Sequence, residues 1–206
     1  MEITFSMDVS IGDVVIGDKN RPALISLIMK DAYGGLYVIT STRIIGDTGA
    51  VYIVNDTGKH YLGMIVHTCL DSENDICIIK VTARINKIHT FPLQPVEALN
   101  IDELPYKHFE VILRTDNGFH HFPVTYHHMY NSTVFSLHLC VNISQELAYS
   151  LAGMSTKIGI LLVILDIDGN YTPIGHFELL DVFAGNAAIF TLYGHSQKLL
   201  NAYQMY

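Results

Sequence analysis

Tryptophan is absent from the 206 residues, cysteine occurs three times, and charged side chains make up only 16% of the chain. Cys69, Cys77 and Cys140 are an odd and scattered set, which excludes a disulfide-stapled scaffold and points to a reducing compartment. Twelve Lys and Arg against 20 Asp and Glu leave a net charge of −8, so no nucleic-acid partner is expected: no broad basic surface is available to follow phosphates. Long hydrophobic runs are missing too. The longest, Ile158–Leu165, is too short for a membrane span, and Met1–Asp8 has neither the basic start nor the apolar run of a signal peptide. A cytoplasmic protein, or one packed from the cytoplasm into a larger particle such as a virion, is the expectation. Helical periodicity is scarce, with only Gly194–Tyr203 placing Leu199, Leu200 and Tyr203 on one face.

Half of the residues are hydrophobic, enough for a substantial core, and they fall into short strands separated by turn-forming residues. In the first half the strands are expected at Val14–Gly17, Ala23–Met29, Leu36–Thr40, Ala50–Val54, His60–Cys69 and Ile76–Thr82. Between them stand Asp31–Gly35, Gly46–Gly49, Asn55–Gly58 and Asp71–Asn74, rich in residues that tolerate positive φ or form Asx turns. A proline-bearing stretch with Pro92, Pro95 and Pro105 reads as a linker. The second half repeats the pattern at Phe109–Thr115, Phe119–Tyr126, Thr133–Val141, Ile158–Leu165, Tyr171–Phe183 and Ala187–Leu192, with hairpin signals at Asp116-Asn117-Gly118 and Asp166–Asn170. The expected fold is all-β: two antiparallel six-stranded β-barrels, at 1–90 and 107–206, joined by a linker at 91–106 and closed by a short C-terminal helix.

Three segments carry a resemblance. Val38-Ile39-Thr40-Ser41-Thr42-Arg43-Ile44 is similar to a strand ending in Thr-Ala-Ala-His. Asn74-Asp75-Ile76-Cys77-Ile78-Ile79-Lys80-Val81 is close to Asn-Asp-Ile-Ala-Leu-Ile-Lys-Leu. Gly153-Met154-Ser155-Thr156-Lys157-Ile158, followed by an apolar strand, a hairpin and Pro173-Ile174-Gly175-His176-Phe177, is similar to a nucleophile loop and its following strand. In this order, over nearly the whole chain, they resemble the landmarks of the trypsin-like (chymotrypsin-fold) serine proteases, in the compact viral and high-temperature-requirement form. The resemblance implies a double barrel with its three sites in a cleft between the barrels.

Set on that pattern, the site is degenerate. Arg43 stands in the place of the histidine base, and a guanidinium has no lone pair with which to take a proton. Asp75 matches the aspartate and Ser155 the nucleophile, but Thr156, Lys157 and Ile158 replace the small residues and proline that follow it, which compromises the oxyanion loop around Gly153 and Met154. No catalytic residue is therefore expected. Because positions 43 and 75 touch in the family, a buried Arg43–Asp75 ion pair is expected, against the simpler alternative that Arg43 points to solvent. His176 is either a pocket wall or an ordinary barrel histidine. His120-His121 and His127-His128 invite a metal, but neighbouring strand residues face opposite ways and no Cys, Asp or Glu lies near in sequence, so neither a metal nor another cofactor is expected. Cys77 and Cys140 read as core residues.

The function expected is a pseudoprotease: a non-catalytic trypsin-like protein used as a binding or structural subunit, with a protein partner or self-assembly, in a virus or phage particle for instance. The alternatives are an active serine hydrolase in which Ser155 uses a displaced base, and an unrelated β-sandwich structural protein.

Overall fold

In the computed structural model, residues 6–47, 49–71, 74–95, 99–131, 137–181, 186–193, 200 and 202–206 are described. The first half contributes strands β1 (Met7–Ser10), β2 (Val14–Ile16), β3 (Pro22–Leu24), β4 (Leu27–Lys30), β5 (Leu36–Thr40), β6 (Ala50–Asn55), β7 (Gly58–Asp71), β8 (Asn74–Val81) and β9 (Ile85–His89), with the single-turn helix α1 (Thr42–Ile45). A 3-10 helix, Ile101–Tyr106, precedes the second half. There follow β10 (His108–Thr115), β11 (Gly118–Asn131), β12 (Leu137–Asn142), helix α2 (Gln145–Gly153), β13 (Leu161–Leu165), β14 (Tyr171–Asp181), β15 (Ala187–Leu192) and β16 (Gln204–Met205).

The second half closes into a six-stranded antiparallel barrel in the order β10-β11-β12-β15-β14-β13, sealed where β10 pairs with β13. The first half forms a curled eight-stranded sheet in the order β16-β4-β5-β8-β7-β6-β2-β3, with β1 and β9 as a separate parallel pair. The mostly-β double-barrel fold class is therefore present, with the N-terminal unit a curled half-barrel. The strands β1 and β9, helix α1 and the 3-10 helix were not foreseen, and neither were two further elements. Helix α2 is capped by Ser144, whose side chain accepts from the Leu147 N–H, and it is anchored by buried Leu147 and Leu151. The other is β16, which crosses from the C-terminal segment to pair with β4 of the first sheet. Of the expected C-terminal helix, 194–199 and 201 lie outside the described residues, as do 133–136 and 182–183 of two expected strands, 48 and 72–73 of two expected turns and 96–98 of the expected linker.

Among the described residues, the expected turns Asp31–Gly35, Asn55–Gly58 and Asp166–Asn170 form where their residues demand. Asp166 Oδ1 accepts from the N–H groups of Asp168 and Asn170, both at 2.8 Å, and Gly169 takes the positive φ of 82° that closes the loop. Apolar runs rather than alternation mark β4, β8 and β15, because these strands are covered on both faces.

The two cores interlock. Leu24 of β3 packs into the C-terminal core, whereas Ile112, Leu161, Val163 and Tyr193 pack into the N-terminal one. The Leu24 N–H donates to the Ile158 carbonyl at 2.8 Å, and a Cβ on Gly159 would lie 2.4 Å from the Leu24 carbonyl oxygen, so only glycine permits this approach. An Arg114–Asp13 ion pair adds a second link.

Candidate functional site

The site grows from the junction of β5 and α1. Ser41 takes the N-cap position of α1, yet its hydroxyl leaves the helix uncapped and donates instead to Asp75 Oδ2 on β8. The Arg43 backbone N–H donates to Asp75 Oδ1 at 2.8 Å. Asp75 is 4% exposed. His176, on β14 from the opposite unit, brings Nε2 to 3.8 Å from Asp75 Oδ2, a polar contact too long for a hydrogen bond. Burial alone would raise the Asp75 carboxyl; the His176 imidazole, the Ser41 hydroxyl and the Arg43 amide outweigh it and hold the group below the usual carboxylate range.

The expected Arg43–Asp75 ion pair does not form. Arg43 meets Asp75 through its backbone, and its guanidinium runs across to Glu178 on β14. A backbone amide already fills one oxygen of Asp75 and a hydroxyl the other, so the buried carboxylate has two direct donors without a guanidinium. Glu178 is the second centre. It accepts from Thr191 Oγ1 of β15 at 2.8 Å, pairs with His138 Nε2 of β12 and pairs with Arg43 from the first unit. Burial acts to raise the Glu178 carboxyl, but His138, Thr191 and Arg43 together bring it down to about 2.

Glu178 and His138 were missed from sequence. The available signal was the lone carboxylate in Tyr171–Leu180, two residues after His176 and therefore on the same face of β14 until the bulge between Phe177 and Leu179.

His176 is 1% exposed, with its ring centroid 5.6 Å from that of Tyr193. It is a buried neighbour of Asp75 and presents no surface to a ligand. Ser155 is exposed and lies between α2 and β13; among the described residues no hydrogen bond, ion pair or ring contact joins it to Arg43, Asp75 or His176. Gly153 is the last residue of α2 and Met154 its C-cap, with the Met154 N–H spent on the Leu151 carbonyl at 3.3 Å. Lys157 Nζ donates to the carbonyls of Leu151 at 2.8 Å and Met154 at 3.4 Å. Gly153 and Met154 thus form a capped helix end.

Cys77 and Cys140 are core groups. Cys77 is fully buried and is pushed up to about 12 by burial and then by Asp75, which leaves no thiolate at working pH. The alternation argument against the histidine pairs needs correction at His127, and folding brings His121 a carboxylate that is distant in sequence. His121 Nδ1 lies 2.9 Å from Glu110 Oε2 on the neighbouring strand, and a bulge between Tyr126 and His128 brings His127 and His128 together beside Cys140.

No protein-family model matches the chain, and no curated protein does. Solved structures do match. An alpha-lytic protease homologue is similar with a TM-score of 0.64 at 12% identity, covering 97% of this chain and 100% of its own. A glutamic acid-specific serine protease gives 0.60 at 11%, covering 96% and 100%. A Nocardiopsis protease gives 0.59 at 8%, covering 96% and 98%. At such identities the likeness establishes the fold, and it spans nearly the full length of both partners.

Proposed function

Starting from a chymotrypsin-like double barrel, we propose that this chain is a non-catalytic member of that fold, a pseudoprotease acting as a protein-binding or structural subunit. The observation that carries the reading is the fate of position 43. Its backbone keeps contact with the buried Asp75, while its side chain is a guanidinium anchored on Glu178. A group protonated at all working pH cannot act as a general base there. Among the described residues no hydrogen bond or ion pair links Ser155 to an imidazole or carboxylate, and the backbone around Met154 is committed to ending a helix.

The lightly charged, apolar composition supports a surface partly covered by a partner or by copies of the chain, as in a virus or phage particle. Met64 and Val66 on β7 add exposed apolar side chains, at 42% and 50% exposure. No described helix is long and apolar enough to cross a membrane.

The test is labelling by a fluorophosphonate probe of the native chain, Ser155→Ala and Arg43→His. The expected result is no labelling of any of the three, because an imidazole at position 43 would still lack a connected hydroxyl. Labelling of the native chain that disappears in Ser155→Ala would establish an activated serine and overturn the reading in favour of a hydrolase with a displaced base.

A further inference from the structure

Successive residues of a regular strand face opposite ways, but β11 is not regular at His127. The register with β12 steps from Tyr126 opposite Val141 to His128 opposite Cys140, which leaves His127 as the extra residue of a bulge. The bulge turns both imidazoles to one side. Their Nδ1 atoms meet, with ring centroids 4.5 Å apart. Cys140 lies directly across the ladder from His128, and a ligand atom from each of the three residues falls within 4.8 Å of the others.

We propose that His127, His128 and Cys140 form a zinc-binding site that ties β11 to β12. Two imidazoles and one sulfur are a borderline-soft donor set, suited to Zn2+ and unsuited to Ca2+ or Mg2+, which take oxygen. Bond lengths of about 2.0 Å to nitrogen and about 2.3 Å to sulfur place tetrahedral ligand atoms roughly 3.5 Å apart, a spacing this cluster reaches by small side-chain rotations. His127 is exposed and Cys140 is buried, so the ion has an entry path at one end and a desolvated anchor at the other.

Binding replaces the S–H bond of Cys140 by an S–Zn bond, and the proton leaves to solvent. Water completes the fourth position. The site lies outside the Arg43–Asp75–Glu178 cluster and does not depend on whether the chain is catalytic.

The experiment uses the whole chain, stripped with EDTA and kept reduced, titrated with Zn2+ against a chelating dye and in parallel with Co2+ alone. Expected are one equivalent of tightly held Zn2+, a rise in melting temperature on loading, and a thiolate-to-cobalt charge-transfer band with Co2+. His127→Ala, at an exposed position, keeps the native circular dichroism and weakens Zn2+ binding by more than about 100-fold, exceeding the loss from removing an outer-shell partner. Cys140→Ser abolishes the charge-transfer band. The proposal is overturned if native protein and His127→Ala bind Zn2+ equally, or if Co2+ binds without the thiolate band, since such binding belongs to other histidines. Should Cys140→Ser fail to fold, the band and the His127→Ala comparison decide the matter.

Discussion

Two truncations at the domain junction separate what Arg43 does through its backbone from what it does through its side chain. Asp75→Ala deprives the Ser41 hydroxyl and the Arg43 N–H of a charged acceptor in a buried setting. Each hydrogen bond to a charged group contributes about 1.5–3 kcal/mol, so the expected loss is about 4 kcal/mol. Arg43→Ala keeps the backbone N–H and removes only a guanidinium that is 44% exposed, a pair discounted by solvent screening to about 0.5–1 kcal/mol. The double variant should cost close to the sum, with a coupling under about 0.5 kcal/mol, because the two side chains do not touch. Urea unfolding followed by far-UV circular dichroism and tyrosine emission measures all four proteins; the absence of tryptophan leaves the 12 tyrosines as the fluorescent probe. A coupling above about 1.5 kcal/mol, or an Arg43→Ala loss equal to that of Asp75→Ala, would show the guanidinium on Asp75 and refute the geometry.

Acid should expose the second centre. The Glu178 carboxyl is about 2 in the fold against an ordinary 4.5, so the charged form is favoured in the native state, and the group contributes about 3 kcal/mol above pH 4.5, lost as the pH falls through about 2. The gap in stability between native protein and Glu178→Gln should narrow over that window; parallel stability curves would exclude the assignment. Gly175→Ala places a Cβ 2.3 Å from the Thr191 carbonyl oxygen, forcing β14 from β15 at a cost of about 1–3 kcal/mol, measurable as a lowered melting temperature. Ser144→Ala removes the N-cap of α2 and should cost about 1 kcal/mol; an unchanged urea midpoint would mean that packing of Leu147 and Leu151 alone defines the helix start.

The strands and hairpins were legible because their signals are local: apolar runs for strands covered on both faces, and turns such as Asp166–Asn170 whose side-chain acceptors and glycine act within five residues. The ends of the site were legible for the same reason, with Thr40–Arg43 closing a strand and Asn74-Asp75 opening one. What Arg43 does was not legible. A one-residue placement permits either a backbone or a side-chain contact with Asp75, and the choice depends on Glu178, which lies 135 residues away. Helix α2 was hidden because its nine residues bury only Leu147 and Leu151, too short a stripe for a periodic signal. The bulge at His127 was hidden because one extra residue inverts the facing of its neighbours and leaves no mark in the residue types.

The pairing of β16 with β4 sets an order on the making of the molecule. β4 buries Leu27, Ile28 and Met29, and its free edge is covered only when Gln204 and Met205 arrive. Translation at about 5–20 residues per second needs roughly 6–23 s to travel from the end of β9 to that strand. Through that interval the growing chain carries an apolar strand edge with unpaired N–H and C=O groups, a template for any neighbouring nascent chain. A strand made long after β4 is therefore also the guard of the first sheet, and premature termination ahead of it yields a product prone to aggregate even though most of the double barrel has been made.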